Sequence, residues 1–198
     1  MPFRYSIIIF VKNKFTMPHK INISEENNTL TIIINAFYDE KKQQLLFLWI
    51  VLFSICGIAI FSQFFVDYPM ETKLFFGVYV AFWLFFEFKV IYAFRWRKYG
   101  SEIFTIEENN IILSKKIGNR GITETYPIED VKNFQLIKYK DNFVHAINSN
   151  YWSINKYTIS FDFNNQTIPF GIELNENQAK NIIHTINNFV KKSVEKNN

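Results

Sequence analysis

Glycine, histidine and cysteine are all scarce in this sequence, and their scarcity excludes several kinds of site. The 198 residues include six glycines, three histidines and one cysteine. No phosphate loop or dinucleotide-binding fingerprint is present. The single cysteine, Cys56, allows no internal disulfide, and no histidine has a second ligand at zinc spacing. The sequence therefore predicts no catalytic, cofactor-binding or metal-binding residue, and no enzyme.

The positive charge of the chain is unevenly distributed. Residues 1–98 hold 11 Lys and Arg against 7 Asp and Glu, whereas residues 99–198 hold 11 of each. A nucleic-acid-binding domain usually carries its basic surplus on the folded part that meets the nucleic acid. Since the C-terminal half has no surplus, nucleic acid is not an expected partner, and the charge is interpreted as a membrane-orientation signal.

The N-terminal residues 1–19 give no clear fold signal. The apolar stretch Ile7–Val11 suggests a signal peptide, but Lys12 ends it too soon and no small-residue cleavage site follows. Met17 lies just before the first patterned segment, so translation from either Met1 or Met17 is compatible with the pattern. These residues are interpreted as an N-terminal extension.

Two long apolar segments predict a pair of transmembrane helices. Residues 45–66 form 22 consecutive positions without a charge. A helix of this length measures about 33 Å, enough to cross a hydrocarbon core of about 30 Å. The second segment, residues 74–94, includes Glu87 and Lys89. Because only residues 67–73 separate the segments, the two helices are predicted to be antiparallel neighbours.

Glu87 and Lys89 are the candidate intramembrane residues. A charge at the centre of a spanning helix costs about 2.5–3.5 kcal/mol on insertion scales, and such residues are functional hypotheses by default. The long stem of Lys89 lets its ammonium group reach the lipid headgroups. Glu87 lies deeper, so it is expected to be protonated, to pair with a group on the other helix or to pack in an oligomer interface, with a transport role as the alternative.

The residues that flank the two segments predict the orientation of the chain. Five basic residues lie just before the first segment or just after the second: Lys41, Lys42, Arg95, Arg97 and Lys98. The connection between the segments carries two acidic residues and one basic residue. By the positive-inside rule, both termini are predicted to be cytoplasmic. Tyr92 and Trp96 are predicted to lie in an interfacial aromatic belt.

Alternation of apolar and polar residues predicts a β-rich domain around the helices. Residues 20–40 read as a β-hairpin with a polar turn at Glu25–Asn28. Six further strands are predicted after the helices: residues 102–106, 111–117, 122–126, 131–139, 157–163 and 166–172. Asn164 and Asn165 are predicted to form a tight turn. An amphipathic helix over about residues 176–192 follows, and Asn175 with Gln178 resembles its capping box.

Several segments of this domain resemble a known family. They are Gly100–Ile103, Tyr126–Val131, Ile159–Phe163 and Ile168–Asn175. With the helical hairpin (residues 41–98), they look like uncharacterised bacterial membrane proteins that carry a pleckstrin-homology-like (PH-like) domain. The resemblance implies an α+β membrane protein of the bacterial cytoplasmic membrane. Its antiparallel β-sheet or barrel domain (residues 99–198) would be cytoplasmic and closed by the C-terminal helix, and no reaction is implied.

Two groups of residues are candidates for contact with lipid or a partner. Lys115, Lys116 and Arg120 form a basic hairpin tip, which can attract anionic lipid by about 1 kcal/mol per residue near the surface. The long connection over residues 140–155 contains several aromatic side chains, and long ordered loops are often functional. Its candidate residues are Phe143, Tyr151 and Trp152. A solvated turn and an aromatic plug of the core are the simpler interpretations of the two groups.

The sequence leads to two hypotheses of function. The first is a non-enzymatic, membrane-anchored PH-like module that binds a protein or lipid partner at the cytoplasmic face. The alternative is a small subunit of an oligomeric transporter or channel complex that uses Glu87. The expected partners are the bilayer itself and either another membrane protein or further copies of this chain.

Overall fold

The computed structural model describes residues 20–137, 151, 154 and 156–197, with side chains up to residue 192. Two long helices and two antiparallel sheets form the described part, so the predicted α+β class is confirmed. The candidate residues Phe143 and Trp152 lie outside the described residues. So do the predicted end of the 131–139 strand and the N-terminal extension.

The described strands form one sheet of five strands and one of three, all paired antiparallel to their neighbours. The five-stranded sheet consists, in spatial order, of β1 (Ile21–Glu26), β2 (Thr29–Asn35), β3 (Gly100–Glu107), β4 (Asn110–Ile117) and β5 (Arg120–Pro127). The three-stranded sheet consists of β6 (Val131–Leu136), β7 (Tyr157–Phe163) and β8 (Gln166–Ile172). The predicted strands are thus confirmed, with small shifts at their ends.

Asparagine pairs form two of the tight turns between the strands. Asn27 and Asn28 have φ angles of 48° and 65°, and Asn164 and Asn165 have φ angles of 48° and 61°. Two successive positive φ angles match the right-handed twist of the flanking strands, and asparagine tolerates this conformation. The tight turn predicted at Asn164 and Asn165 is therefore confirmed.

The two long helices are α1 (Glu40–Ser62), extended by a 3₁₀ turn at Gln63–Phe65, and α2 (Met70–Tyr99). Helix α1 begins earlier than predicted because Asp39 caps it, accepting a hydrogen bond from the Lys42 N–H at 3.1 Å. Polar side chains can continue a helix beyond its apolar segment, which is why hydropathy alone placed the ends wrongly.

Helix α2 also extends past both predicted ends. It begins directly after Pro69, so the connection to α1 is shorter than the predicted residues 67–73. At its other end it continues to Tyr99, and β3 starts at the next residue, Gly100. No separate linker therefore lies between the helical hairpin and the β domain.

The helical hairpin is an insertion in the connection between β2 and β3. Asn35 pairs with Ser101 across these strands, and the Ala36 N–H donates to the Gly100 carbonyl at 3.0 Å. The chain thus leaves the sheet and returns to it at neighbouring positions. The N-terminal β-hairpin and the residues after α2 consequently belong to the same sheet.

The hydrophobic core lies between the two sheets and the C-terminal helix α3 (Glu176–Asn197). Its largest fully buried apolar side chains are Phe104, Phe161, Phe170, Leu30, Ile32, Ile34, Ile106, Ile111, Ile159, Ile182 and Ile186. The Phe104 and Phe170 rings stack with centroids 4.9 Å apart. The predicted capping box is confirmed, because Asn175 and Gln178 exchange hydrogen bonds between side chain and backbone at 2.8 and 3.0 Å.

Helices α1 and α2 contrast with this core because most of their apolar side chains are uncovered. Both are long and apolar enough to cross a membrane, and only 11% of the most apolar window of each is buried. Trp96 departs from the predicted interfacial belt. It is buried against Gly100, where a Cβ atom would lie 2.6 Å from the tryptophan ring.

Candidate functional site

The interface between α1 and α2 contains Glu87, the candidate intramembrane acid. Its side chain is 6% exposed and faces α1, where Oε1 accepts a hydrogen bond from the Ser54 hydroxyl at 2.5 Å. The second oxygen, Oε2, has no hydrogen-bond partner among the described residues. Glu87 therefore joins the two helices, as the packing interpretation of the sequence expected.

Two further polar contacts hold the same interface. The indole N–H of Trp83 donates to the Phe53 carbonyl at 3.0 Å, and the Gln43 amide donates to the Phe94 carbonyl at 3.0 Å. Gly57 allows this approach, because a Cβ atom there would lie 1.9 Å from the Trp83 ring. Interhelical hydrogen bonds and a small residue at the crossing are the usual means of association between apolar helices.

Lys89 lies on another side of α2 and is exposed. Its ammonium group lies 5.7 Å from the centroid of the Phe85 ring, one turn earlier. The structure therefore does not bring Glu87 and Lys89 together, in agreement with their spacing of two residues along a helix.

A buried polar cluster joins the helices to the β domain, and Arg97 is at its centre. The Arg97 side chain is 1% exposed, and its guanidinium forms an ion pair with Glu173, which follows β8. Its Nε–H also donates to the Tyr151 carbonyl at 2.9 Å, and the guanidinium lies 4.6 Å from the centroid of the Tyr151 ring. This arginine was predicted only as an orientation charge, whereas the structure shows it as a buried connector.

Tyr151 extends the cluster to the start of α1. Its hydroxyl donates to the Gln43 Oε1 at 3.0 Å and accepts from the Asp39 N–H at 3.3 Å. Burial raises the pKa of Tyr151 above its ordinary value, with the nearby Arg97 charge acting in the opposite direction. Of the three aromatic candidates in the long connection, Tyr151 is the one that the structure describes, and it contacts both helices.

Lys20 completes the cluster from the start of β1. Its ammonium group donates to the Glu173 carbonyl. Partial burial lowers the pKa of Lys20, an effect that the Glu173 carboxylate opposes and the neighbouring Arg97 charge reinforces. The buried polar cluster therefore connects α1, α2, the first strand and the segment after β8.

A second buried polar group, around Glu102, joins the two sheets. Glu102 is fully buried, and its Oε2 accepts from the N–H groups of Gly171 and Ile172 at 2.7 and 3.0 Å. Its other oxygen lies 4.0 Å from the Lys115 ammonium group. Burial raises the pKa of Glu102, although Lys115 and the two N–H groups act in the opposite direction.

The three residues of the predicted basic tip lie in different environments. Lys115 is directed to the interior, where it donates to the Tyr157 hydroxyl at 3.1 Å in addition to its contact with Glu102. Lys116 is half-buried and Arg120 is exposed, on either side of the turn at Gly118 and Asn119. The Gly118 N–H donates to the Tyr99 carbonyl at 2.9 Å, so this turn lies beside the end of α2.

Sequence reasoning missed Glu102, Glu173 and the burial of Arg97. For Glu102 a signal existed: it occupies the inward-facing phase of β3, together with the buried Phe104 and Ile106. An acid on the apolar face of a strand indicates a buried partner. For Arg97 and Glu173 no comparable signal exists, because they are 76 residues apart and meet only in the folded chain.

Away from these two clusters, the polar surface of the described residues includes an open cleft. A cleft of about 530 Å³ lies at the far end of β6 and β7, lined by Asp130, Lys132, Asn133, Asp162, Asn164 and Asn165. Among the described residues, no group of three or more His, Cys, Asp or Glu side chains is arranged to hold a metal ion. Glu129 and Asp130 are exposed in a 3₁₀ turn, Ile128–Asp130, between β5 and β6.

Comparison of the chain with protein-family models, with curated proteins and with solved structures found no match. Functional inference therefore depends on the geometry described above.

Proposed function

We propose that this chain is a non-enzymatic membrane module, in which α1 and α2 cross a bilayer and hold a PH-like β domain at its cytoplasmic face. There the domain binds a protein or lipid partner. The observation that carries the proposal is the exposed apolar surface of the two helices, of which only 11% is buried in each window. Soluble proteins rarely expose contiguous apolar patches larger than a few hundred Å². Lipid is the environment that covers such a surface favourably.

The ends of the helices support the orientation. The basic residues Lys41, Lys42, Arg95 and Lys98 are exposed at the end that carries the β domain. The opposite end carries two acidic residues, Asp67 and Glu71, and one basic residue, Lys73. Under the positive-inside rule, this distribution favours a cytoplasmic β domain.

The arrangement of the β domain supports the PH-like interpretation. Two antiparallel sheets enclose the core, and one C-terminal helix packs over it. The polar groups of the interior connect parts of the fold: Arg97 with Glu173 at the helices, and Glu102 with the N–H groups of β8. These groups hold the β domain on the helices and the two sheets on each other, and such a fixed arrangement suits a binding module.

Cysteine accessibility tests the membrane orientation. In a Cys56→Ala background, which removes the single native cysteine, Tyr68→Cys places a thiol in the interhelical connection and Asn27→Cys places one in the β1–β2 turn. In intact cells, an impermeant maleimide is expected to label the first and to reach the second only after permeabilisation. The reverse pattern, or extraction of the chain by alkali, would contradict the proposal.

Co-purification from native membranes tests the binding role. The full-length chain is compared with a tagged control containing only residues 37–99. A protein or lipid retained by the full chain and lost from the control is expected, because the β domain presents the binding surface. If nothing distinguishes the two samples, the binding role is contradicted while the membrane assignment stands.

The transporter alternative makes a separate prediction at Glu87. A Glu87→Gln side chain keeps a group that can hydrogen-bond Ser54, so helix packing and insertion are expected to be unchanged. Under the alternative hypothesis, the same substitution abolishes ion or solute movement in proteoliposomes. The inward orientation of Glu87 favours the packing role.

A further inference from the structure

The turn between β4 and β5 lies at the level of the lipid headgroups if the helices cross the bilayer. Its Gly118 N–H donates to the carbonyl of Tyr99, the last residue of α2, at 2.9 Å. From Phe94, the last apolar residue before Arg95, to Tyr99 the helix rises about 7.5 Å. The headgroup layer on each side of a bilayer is about 5–8 Å thick. The turn is therefore placed against the outer part of that layer.

The surface around this turn combines cations with an exposed tyrosine. Lys98 and Arg120 are exposed and Lys116 is half-buried, and within the described residues none of the three forms an ion pair. Lys116 and Arg120 lie on opposite faces of the hairpin, because Lys116 is paired with Gly121 and Arg120 with Ile117. Tyr99, the last residue of α2, is 51% exposed. Basic side chains on both faces of a turn beside an exposed tyrosine suit the headgroup layer.

Most of the carboxylates at this end of the domain have basic partners of their own. Asp39 lies 3.8 Å from Lys42, Glu173 pairs with Arg97, and Glu102 lies 4.0 Å from Lys115. Glu40, exposed in the first turn of α1, is a further carboxylate at this end, and the exposed Lys41 follows it. The cations of the turn are therefore in excess over the carboxylates that could neutralise them.

The opposite end of the β domain has the reverse character. Six acidic residues lie in or beside its turns: Glu25, Glu26, Glu107, Glu108, Glu129 and Asp130. Strand pairing places them in one rim, since Glu26 is opposite Thr29 and Thr29 lies next to Glu107 in the adjoining strand. Lys192 forms an ion pair with Glu25 at 3.6 Å, so the acidic rim is partly offset by basic residues. The β domain is thus polarised, with unpaired cations toward the helices and an excess of carboxylates away from them. Residues 99–198 hold equal numbers of basic and acidic residues, so their net charge did not reveal this separation.

We infer that the β4–β5 turn binds anionic phospholipid headgroups, through Lys98, Lys116 and Arg120, an inference that rests on the proposed membrane insertion. Charge complementarity selects an anionic over a zwitterionic lipid surface. Lipid is the occupant because the cations adjoin the end of α2, and a soluble acidic partner would have to compete with the adjacent bilayer for them.

The test uses the full-length chain in nanodiscs of phosphatidylcholine, alone or mixed equally with phosphatidylglycerol. In the Cys56→Ala background, a fluorophore at Asn119→Cys reports quenching by lipids that carry a headgroup spin label. Quenching by labelled phosphatidylglycerol is expected to exceed that by labelled phosphatidylcholine, because each contributing basic residue raises the affinity for an anionic lipid by about fivefold at low salt. The preference is expected to fall as salt screens the charges. A fluorophore at Asn109→Cys, about 26 Å away along the strands, is expected to show no preference.

Two charge-matched variants separate the local site from the net charge. Lys98→Gln, Lys116→Gln and Arg120→Gln together are expected to abolish the preference for the anionic lipid. Lys132→Gln, Lys191→Gln and Lys192→Gln remove the same charge from exposed positions at the other end and are expected to leave it intact.

The possible outcomes distinguish this site from the proposed function. Equal quenching by the two lipids, in a chain that resists alkaline extraction, overturns the headgroup site and leaves membrane insertion standing. A preference that survives in the first triple variant overturns the site as well. Extraction of the chain by alkali overturns both the insertion and the site.

Discussion

Replacing the helical hairpin with a two-residue turn is expected to yield a soluble β domain that folds without α1 and α2. The Ala36 N–H donates to the Gly100 carbonyl, so removal of residues 37–99 leaves two chain ends that are already paired as in a β-hairpin. Asn-Gly is the preferred two-residue connection for such ends. Among the described residues, the buried core cluster of the β domain includes none of residues 37–99. The excision therefore leaves that core intact.

A fragment of residues 100–198, which lacks β1 and β2, is the matched comparison and is expected to be unfolded. It loses Leu30, Ile32 and Ile34, which are at most 2% exposed in the core. Full burial of each side chain contributes about 1.5–3 kcal/mol, so the fragment loses about 5–9 kcal/mol. The total free energy of unfolding of a domain is about 5–15 kcal/mol. The fragment also has an unpaired edge at β3.

Circular dichroism and urea unfolding distinguish the two chains. The excised chain is expected to unfold in one cooperative transition, and the fragment in none. Cooperative unfolding of the fragment at the same urea concentration would refute the role of β1 and β2 in the core. An excised chain without a transition would refute the independence of that core from the helices.

Three further predictions concern the interior of the protein. Gly57→Ala is expected to destabilise the packing of the helices by about 1–3 kcal/mol, because its Cβ overlaps the Trp83 ring, whereas Gly77→Ala, whose nearest neighbouring atom is 4.0 Å away, is expected to be neutral. Thermal melts in detergent check this pair, and equal melting temperatures would contradict it. Arg97→Ala is expected to cost about 3 kcal/mol and to increase amide exchange near Glu173, since it leaves that carboxylate unpaired, while Lys98→Ala changes neither quantity. Burial raises the pKa of Glu102 in the folded protein above its ordinary value of 4.5, so protonation of Glu102 favours folding. This contribution to the free energy of unfolding is fully present below pH 4.5 and is lost as the pH rises through the raised pKa. Urea unfolding of Glu102→Gln is expected to lose this pH dependence, and an unchanged profile would assign the dependence to another group.

The local elements could be predicted because each has a short-range cause. The uncharged residues 45–66 predict a long apolar helix. Asn164 with Asn165 predicts a turn because two adjacent residues must adopt positive φ. The apolar period of α3 and its Asn175 cap likewise lie within a few turns of chain. None of these inferences requires knowledge of distant residues.

The helix ends could not be placed from hydropathy. Asp39 starts α1 through a hydrogen bond to the Lys42 N–H, outside the apolar segment. At the other end, α2 continues through three basic residues to Tyr99, since charged side chains with long stems are good helix formers. Apolar character thus indicated which segments form long apolar helices, and capping decided where those helices begin and end.

The sequence by itself determined the element types, the paired apolar helices and the uneven charge along the chain. The tertiary structure decided that β1 and β2 belong to the same sheet as the residues after the helices, and that Arg97 and Glu102 are buried connectors. It also separated the free cations at the β4–β5 turn from the acidic rim at the far end. The physical reason is one of range: helices, turns and caps depend on neighbours in sequence, whereas burial and ion pairing depend on strands that meet only after the chain has folded back across its inserted hairpin.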